Sequence, residues 1–251
     1  MSEKEQTQKQ QEEQPNRVTE MVESEKYLNS GAHIGTKFKS GDMKKYIYKM
    51  RKDGLFVLDI STIDSRIKAA SKMLSETPSE RIAVVARRTY AQTAVKEFAQ
   101  CVGAKAFTGR FIPGTFTNPK AATFFEPKIV VVVDPETDVQ AIEEATRIRV
   151  PVISLVSTNN SLRNIDLAVP INNKGKKSLA LVFWIFAREV LKAKGEISGF
   201  SKKIEDFEYK VKEDEEGKQT QEKSQSVKNT KKNKQGKDKG NKQRRKNKNQ
   251  E

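Results

Sequence analysis

The run Lys-Ile-Val-Val-Val-Val at residues 128–133 constrains this chain more than any other stretch. An unbroken β-branched run has no polar face to offer water, so it predicts a central parallel strand buried on both faces. Such a strand needs helices above and below it. The flanking sequence supplies them. Residues 81–86 (RIAVVA), 104–108, 152–156 and 167–169 read as further strands. Residues 89–102 place Ala91, Val95, Phe98 and Val102 on one helical face, and Gly103 ends that helix. Residues 137–149 read as a helix opened by Thr137 and Gln140 at capping-box spacing. Residues 178–193 bury Leu179, Val182, Phe183, Phe186 and Val190, and Gly195 closes them. Strand and helix alternate from 81 to 195 over mostly short connections, which predicts an α/β domain of three layers around a parallel sheet.

Upstream, residues 27–60 read YLNSGAHIGTKFKSGDMKKYIYKMRKDGLFVLDI. Asp53-Gly54 lies between two strand-like runs, 46–50 and 55–60, which is a hairpin signal because both residues tolerate positive φ. The loop before it and the hairpin itself carry Lys37, Lys39, Lys44, Lys45, Lys49, Arg51 and Lys52. A fixed array of cations suits phosphate recognition, since phosphate spacing in a folded nucleic acid is itself fixed. A solvated lysine-rich loop is the plainer alternative. Four like charges between 36 and 45 predict mobility there until a partner covers them. Residues 18–30 form a weakly amphipathic helix with Gly31 at C′. After the hairpin, Ser61 and Asp64 have N-cap to N3 spacing, Ile63, Ile67, Ala70 and Leu74 follow at helical intervals, and Pro78 stops the helix.

Charge is unevenly placed. The 251 residues carry a net +15. Residues 1–20 hold −2, residues 201–216 hold −3 and residues 217–251 hold +10, which leaves +10 on the middle of the chain. A basic body with a basic tail favours a polyanion, nucleic acid first and an anionic membrane surface second. The tail lacks apolar groups to insert, which weighs against the membrane. Residues 1–17 are predicted disordered, residues 18–200 the folded domain, and residues 201–251 a charged tail, mostly disordered and wholly so beyond about Tyr209. The N-terminus has no apolar core of a signal peptide. The longest apolar run, 179–187, is about half of the roughly 20 residues a membrane helix needs. Cys101 is the only cysteine, so no disulfide framework forms within the chain. These features predict a cytoplasmic protein.

In a parallel sheet, ligands bind beyond the carboxyl ends of the strands. The loops there begin at Arg87, Asp134 and Ser157. Neither glycine-rich nucleotide fingerprint occurs in them. His33 is the sole histidine, and Cys101 reads as a packed thiol rather than a nucleophile. Asp134 and Asp138 read as turn and first-turn carboxylates rather than a metal pair. Cations stand beside backbone breaks instead. Arg87 and Arg88 follow a strand. Arg110 opens RFIPGTFTN, whose phenylalanines either stack on unpaired bases or plug the domain edge. Lys174, Lys176 and Lys177 precede the last helix, where free N–H groups and the helix dipole favour an anion. No cofactor, metal or small-molecule substrate is predicted. An α/β enzyme clamping a phosphorylated substrate with Arg87, Arg88 or Lys174 is the alternative, and the missing fingerprints and acid–base pair count against it.

Taken in order, SGAHIGT at 30–36, YIYKMRKDGLFVLDI at 46–60, GRFIPGTFTNP at 109–119, VVDPETD at 132–138, the stretch 150–178 ending in PINNKGKKS, and FWIFAREVLKAKG at 183–195 resemble one family. It is the small-subunit ribosomal protein two family, in the archaeal and eukaryotic branch that includes ribosomal protein SA. The resemblance spans about residues 20–200. It implies a flavodoxin-like domain with a five-stranded parallel sheet of order 2-1-3-4-5, preceded by a helix and a β-hairpin. It implies a structural constituent of the small ribosomal subunit, partnered by small-subunit rRNA and neighbouring ribosomal proteins, with no enzyme activity. The coiled-coil insertion of bacterial relatives is missing here. The lysine tail differs from the acidic tail of the eukaryotic member, so an archaeal type fits better.

Overall fold

A computed structural model describes residues 21–196 and 200–210. The expected tails at 1–17 and beyond 210 lie outside these residues. A short helix, Ser24–Ser30 (α1), and an antiparallel hairpin of Ile47–Met50 (β1) and Phe56–Leu58 (β2) precede the body. The body then runs Ile60–Glu76 (α2), Ile82–Ala86 (β3), Thr89–Val102 (α3), Lys105–Thr108 (β4), Ile129–Val132 (β5), Val139–Arg147 (α4), Val152–Val156 (β6), Leu167–Pro170 (β7) and Lys176–Lys194 (α5).

The five body strands are parallel and ordered β4-β3-β5-β6-β7. Counted among themselves, that is 2-1-3-4-5. β5 is central, and all four of its residues are buried. Alternate residues serve two cores. Val84, Ala86, Val131 and Ile153 face the side where α2, α3 and α5 pack. Ala83, Val85, Val130 and Val132 face α4 and the phenylalanines of the 107–125 segment. Full burial of an aromatic or branched side chain contributes roughly 1.5–3 kcal/mol, so Phe98, Phe183 and Phe186, all buried together on the first face, anchor α3 and α5.

Several local expectations are corrected. The N-cap of α2 is Asp59, not Ser61: its carboxylate accepts from the Thr62 N–H at 3.1 Å and the Thr62 hydroxyl at 2.5 Å. Asp64 is instead buried, accepting from the Tyr27 hydroxyl at 2.9 Å and the Met21 N–H, and so ties α1 to α2. The Thr137–Gln140 capping box does not form. Asp138 is the N-cap position of α4, Thr137 bonds back to Asp134, and Gln140 donates to Glu144. α5 starts at Lys176, two residues early. The charged segment 201–209 is no tail over this length. Phe207 is fully buried, the Trp184 indole donates to the Lys202 carbonyl at 2.9 Å, and Tyr209 meets Tyr90 edge-on. The folded unit therefore reaches Tyr209.

Candidate nucleic-acid interface

The predicted cations gather toward the carboxyl edge of the sheet because the chain leaves each strand there. Arg87 and Arg88 follow β3, Arg110 follows β4, and Lys174 follows β7. The segment before the hairpin is strapped to the same edge. The Thr36 N–H donates to the Thr158 hydroxyl at 2.9 Å, the Ser40 N–H to the Thr158 carbonyl at 2.8 Å, and the Ser40 hydroxyl to the Asn160 carbonyl at 2.7 Å. Asp42 accepts from the Leu162 N–H at 3.1 Å. Asn172 donates to the carbonyls of Ala32 and Gly31. Two basic stretches more than 120 residues apart in sequence are thus held against one set of loops.

Beneath them lies a buried polar cluster that sequence reasoning missed. Asp134 has no exposed surface. Its carboxylate accepts from Arg88 Nε at 2.6 Å, Asn160 at 3.3 Å, Asn173 at 3.4 Å, the Thr137 hydroxyl at 3.3 Å and the Glu136 N–H at 3.2 Å. A buried charge survives only when paired and hydrogen-bonded, and this set ties the ends of β3, β5, β6 and β7 together. Arg88 is therefore committed inward. The Asp138 carboxyl lies beside this cluster, facing the Arg87 N–H at 3.5 Å: burial, aided by the nearby Asp134 charge, pushes its pKa up to about 6 against that N–H. The signal was present in sequence only as Asn and Asp beside strand ends.

The other candidates divide. Lys37, Lys44, Lys45, Lys49, Arg51, Arg87, Arg110 and Lys177 are exposed. Lys39 lies over the Phe56 ring at 5.2 Å, and Lys45 over Tyr46 at 5.0 Å. Arg51 pairs with Asp53 at 3.0 Å, and Lys176 with Glu208 at 3.1 Å. Lys174 reaches Asn159 at 3.4 Å. The loop 36–45 has fixed points that like-charge repulsion alone does not foresee: Met43 is fully buried and Asp42–Tyr46 forms a 3-10 turn. Residues 37–39 project, with Phe38 77% exposed.

The stacking alternative for residues 110–118 is corrected. Phe111 and Phe116 are buried and pack with Phe107 and Phe125. The buried Glu144 carboxylate holds the loop by accepting from the N–H groups of Gly114 at 2.7 Å and Phe116 at 3.0 Å. These rings plug the domain edge. Cys101 is half-buried, and burial pushes its thiol pKa up while Lys202 opposes the shift. His33 lies beside the hairpin, where its carbonyl accepts from the Leu58 N–H at 2.8 Å.

The sequence model of a family described as Ribosomal protein S2 matches residues 27–124 and 121–193. The protein named small ribosomal subunit protein uS2 in Thermoplasma volcanium is 46% identical over 194 residues, covering 76% of this chain and 98% of the relative. The protein of the same name in Thermoplasma acidophilum matches to the same extent.

Proposed function

This chain belongs to the ribosomal protein S2 family, in its archaeal type, and from that premise we propose how its basic edge serves the small ribosomal subunit. The protein is a structural, non-enzymatic constituent of that subunit in the cytoplasmic ribosome, and binds its rRNA and neighbouring ribosomal proteins. The observation that carries the reading of the edge is the strapping of residues 36–42 onto the loop after β6, and of Gly31 and Ala32 onto the loop after β7. It brings the lysines of the hairpin loop and those of the 174–177 turn to one end of the body. Phosphate contacts need such a spread of donors held at fixed separations. In this reading Lys37, Lys39, Lys44, Lys45, Lys49, Arg51, Arg87, Arg110, Lys174, Lys176 and Lys177 face rRNA phosphates, and Arg88 supports them from below through Asp134.

Changing Lys37, Lys39, Lys44 and Lys45 together to Glu tests this. The variant keeps a wild-type circular dichroism spectrum, because Met43 and Tyr46 remain to hold the segment, but fails to enter small subunits. Normal incorporation of the folded variant would show that the four lysines only face solvent.

A further inference from the structure

Beside the hairpin lies a cleft of about 520 Å³ that phosphate contacts leave unexplained. Leu28 of α1, Val57 and Leu58 of β2, and Ile60 give it apolar walls, while Tyr48 and Lys49 of β1 and Arg51 just after it stand along it. Its volume falls in the range of sites for small organic groups. The register of the hairpin bears on its purpose. Ile47 pairs with Leu58 and Lys49 with Val57, so Tyr48 is an extra residue opposite no partner. Such a bulge re-aims a side chain, and bulges concentrate beside functional sites. Here Tyr48 is 69% exposed although it lies within a strand, and Leu28 across the cleft is 48% exposed. The surroundings are cationic. Lys49 Nζ stands 5.6 Å from the Tyr48 ring centroid. Arg51 bonds Asp53 through one nitrogen, and Asp59, the carboxylate that lines the cleft, caps α2 through its Oδ2.

We infer that this cleft takes an unpaired nucleobase of RNA, stacked on Tyr48 while Lys49 and Arg51 hold the flanking phosphates. Charge complementarity selects this occupant over an apolar protein side chain, which would leave the Lys49 ammonium at the rim with no counter-charge from the occupant, whereas a phosphate supplies one and can share Arg51 with Asp53. Stacking on an aromatic ring suits any base and needs a strand that is not paired. The inference rests on the ribosomal reading above but reaches further, to the kind of nucleotide bound.

The test uses the full chain and three labelled probes: a short single-stranded RNA, the same strand with abasic sites, and a duplex of equal charge. Tyr48→Ala should weaken binding of the single strand by roughly 5- to 150-fold and leave the duplex and abasic strand nearly unchanged. Tyr48→Phe should retain the wild-type preference. Equal affinity of Tyr48→Ala and wild type for the intact strand overturns the inference alone, provided wild type still enters small subunits. A wild-type chain that ignores all three probes and stays out of subunits overturns both readings. If Tyr48→Ala instead loses only a neighbouring ribosomal protein in reconstitution, the cleft belongs to that protein.

Discussion

Asp138 illustrates what a single carboxyl does when a fold closes over it. Its pKa rises from an ordinary 3.8 to about 6, chiefly through burial. Between those values the native state holds a proton that the unfolded chain has released. Stability contributed by this group is therefore fully present below about pH 4 and is lost as pH rises through about 6. Asp138→Asn keeps the acceptor that faces the Arg87 N–H and removes the charge. It should raise stability at pH 7 by up to about 3 kcal/mol and flatten the slope between pH 4 and 6. Urea unfolding of both proteins across that window decides it, and parallel curves would refute the assignment. Gly35 is a second such residue. A Cβ there would come within 2.4 Å of Thr158 Cγ2 and 3.0 Å of the Phe56 carbonyl oxygen. Neither relation was legible in sequence. Asp138 reads in sequence as a first-turn acid favoured by the helix dipole, and Asp134, Asn160 and Asn173 are partners separated by 26 and 39 residues. Local spacing carries no information about a cluster assembled from four strand ends.

Elements were more legible than their caps. The strands and helices of the body follow from apolar periodicity and β-branched runs, which burial enforces along a whole element. Helix α3 begins at Thr89 and ends at Val102 as expected, because Gly103 takes the left-handed conformation that stops it. Caps depend on one hydrogen bond each. At α2, Asp59 and Ser61 are both chemically able; Asp59 is the cap, and Asp64 is engaged by Tyr27 instead. The segment 201–209 was illegible for another reason. Its charge matches a solvated tail, and its burial rests on a few apolar groups: Ile204 and Phe207, received by the core beside Trp184. Phe207→Ala should therefore cost about 3–5 kcal/mol, the range for a fully buried phenylalanine. The fall in melting temperature measures it. A change under about 1 kcal/mol would mean that the segment contributes nothing to the body.

At the scale of the molecule, topology collects charge that sequence scatters. Every strand of a parallel sheet ends on the same edge, so the residues after β3, β4 and β7 are spread along that edge whatever their distance along the chain. The straps at Thr36, Ser40 and Asp42 then add the lysines of the hairpin loop. That edge is not uniformly basic. Glu208, carried back by the 201–209 segment, pairs with Lys176 at the first turn of α5. Of the three lysines expected to meet phosphates there, two pair with no carboxylate among the described residues and one must exchange Glu208 for RNA. Each phosphate contact contributes about 0.9 to the slope of log affinity against log salt, on the duplex scale. Replacing Lys174, Lys176 and Lys177 with Gln should then flatten the slope by about 1.8, not by the roughly 2.7 that three unencumbered lysines give. Glu208→Gln alone should steepen the wild-type slope by up to about 0.9, since Lys176 then meets phosphate without a competitor. Titrating rRNA fragments between low and moderate salt separates the cases. An unchanged slope in the triple variant would remove the 174–177 turn from the interface, and no effect of Glu208→Gln would show that RNA displaces the ion pair without cost.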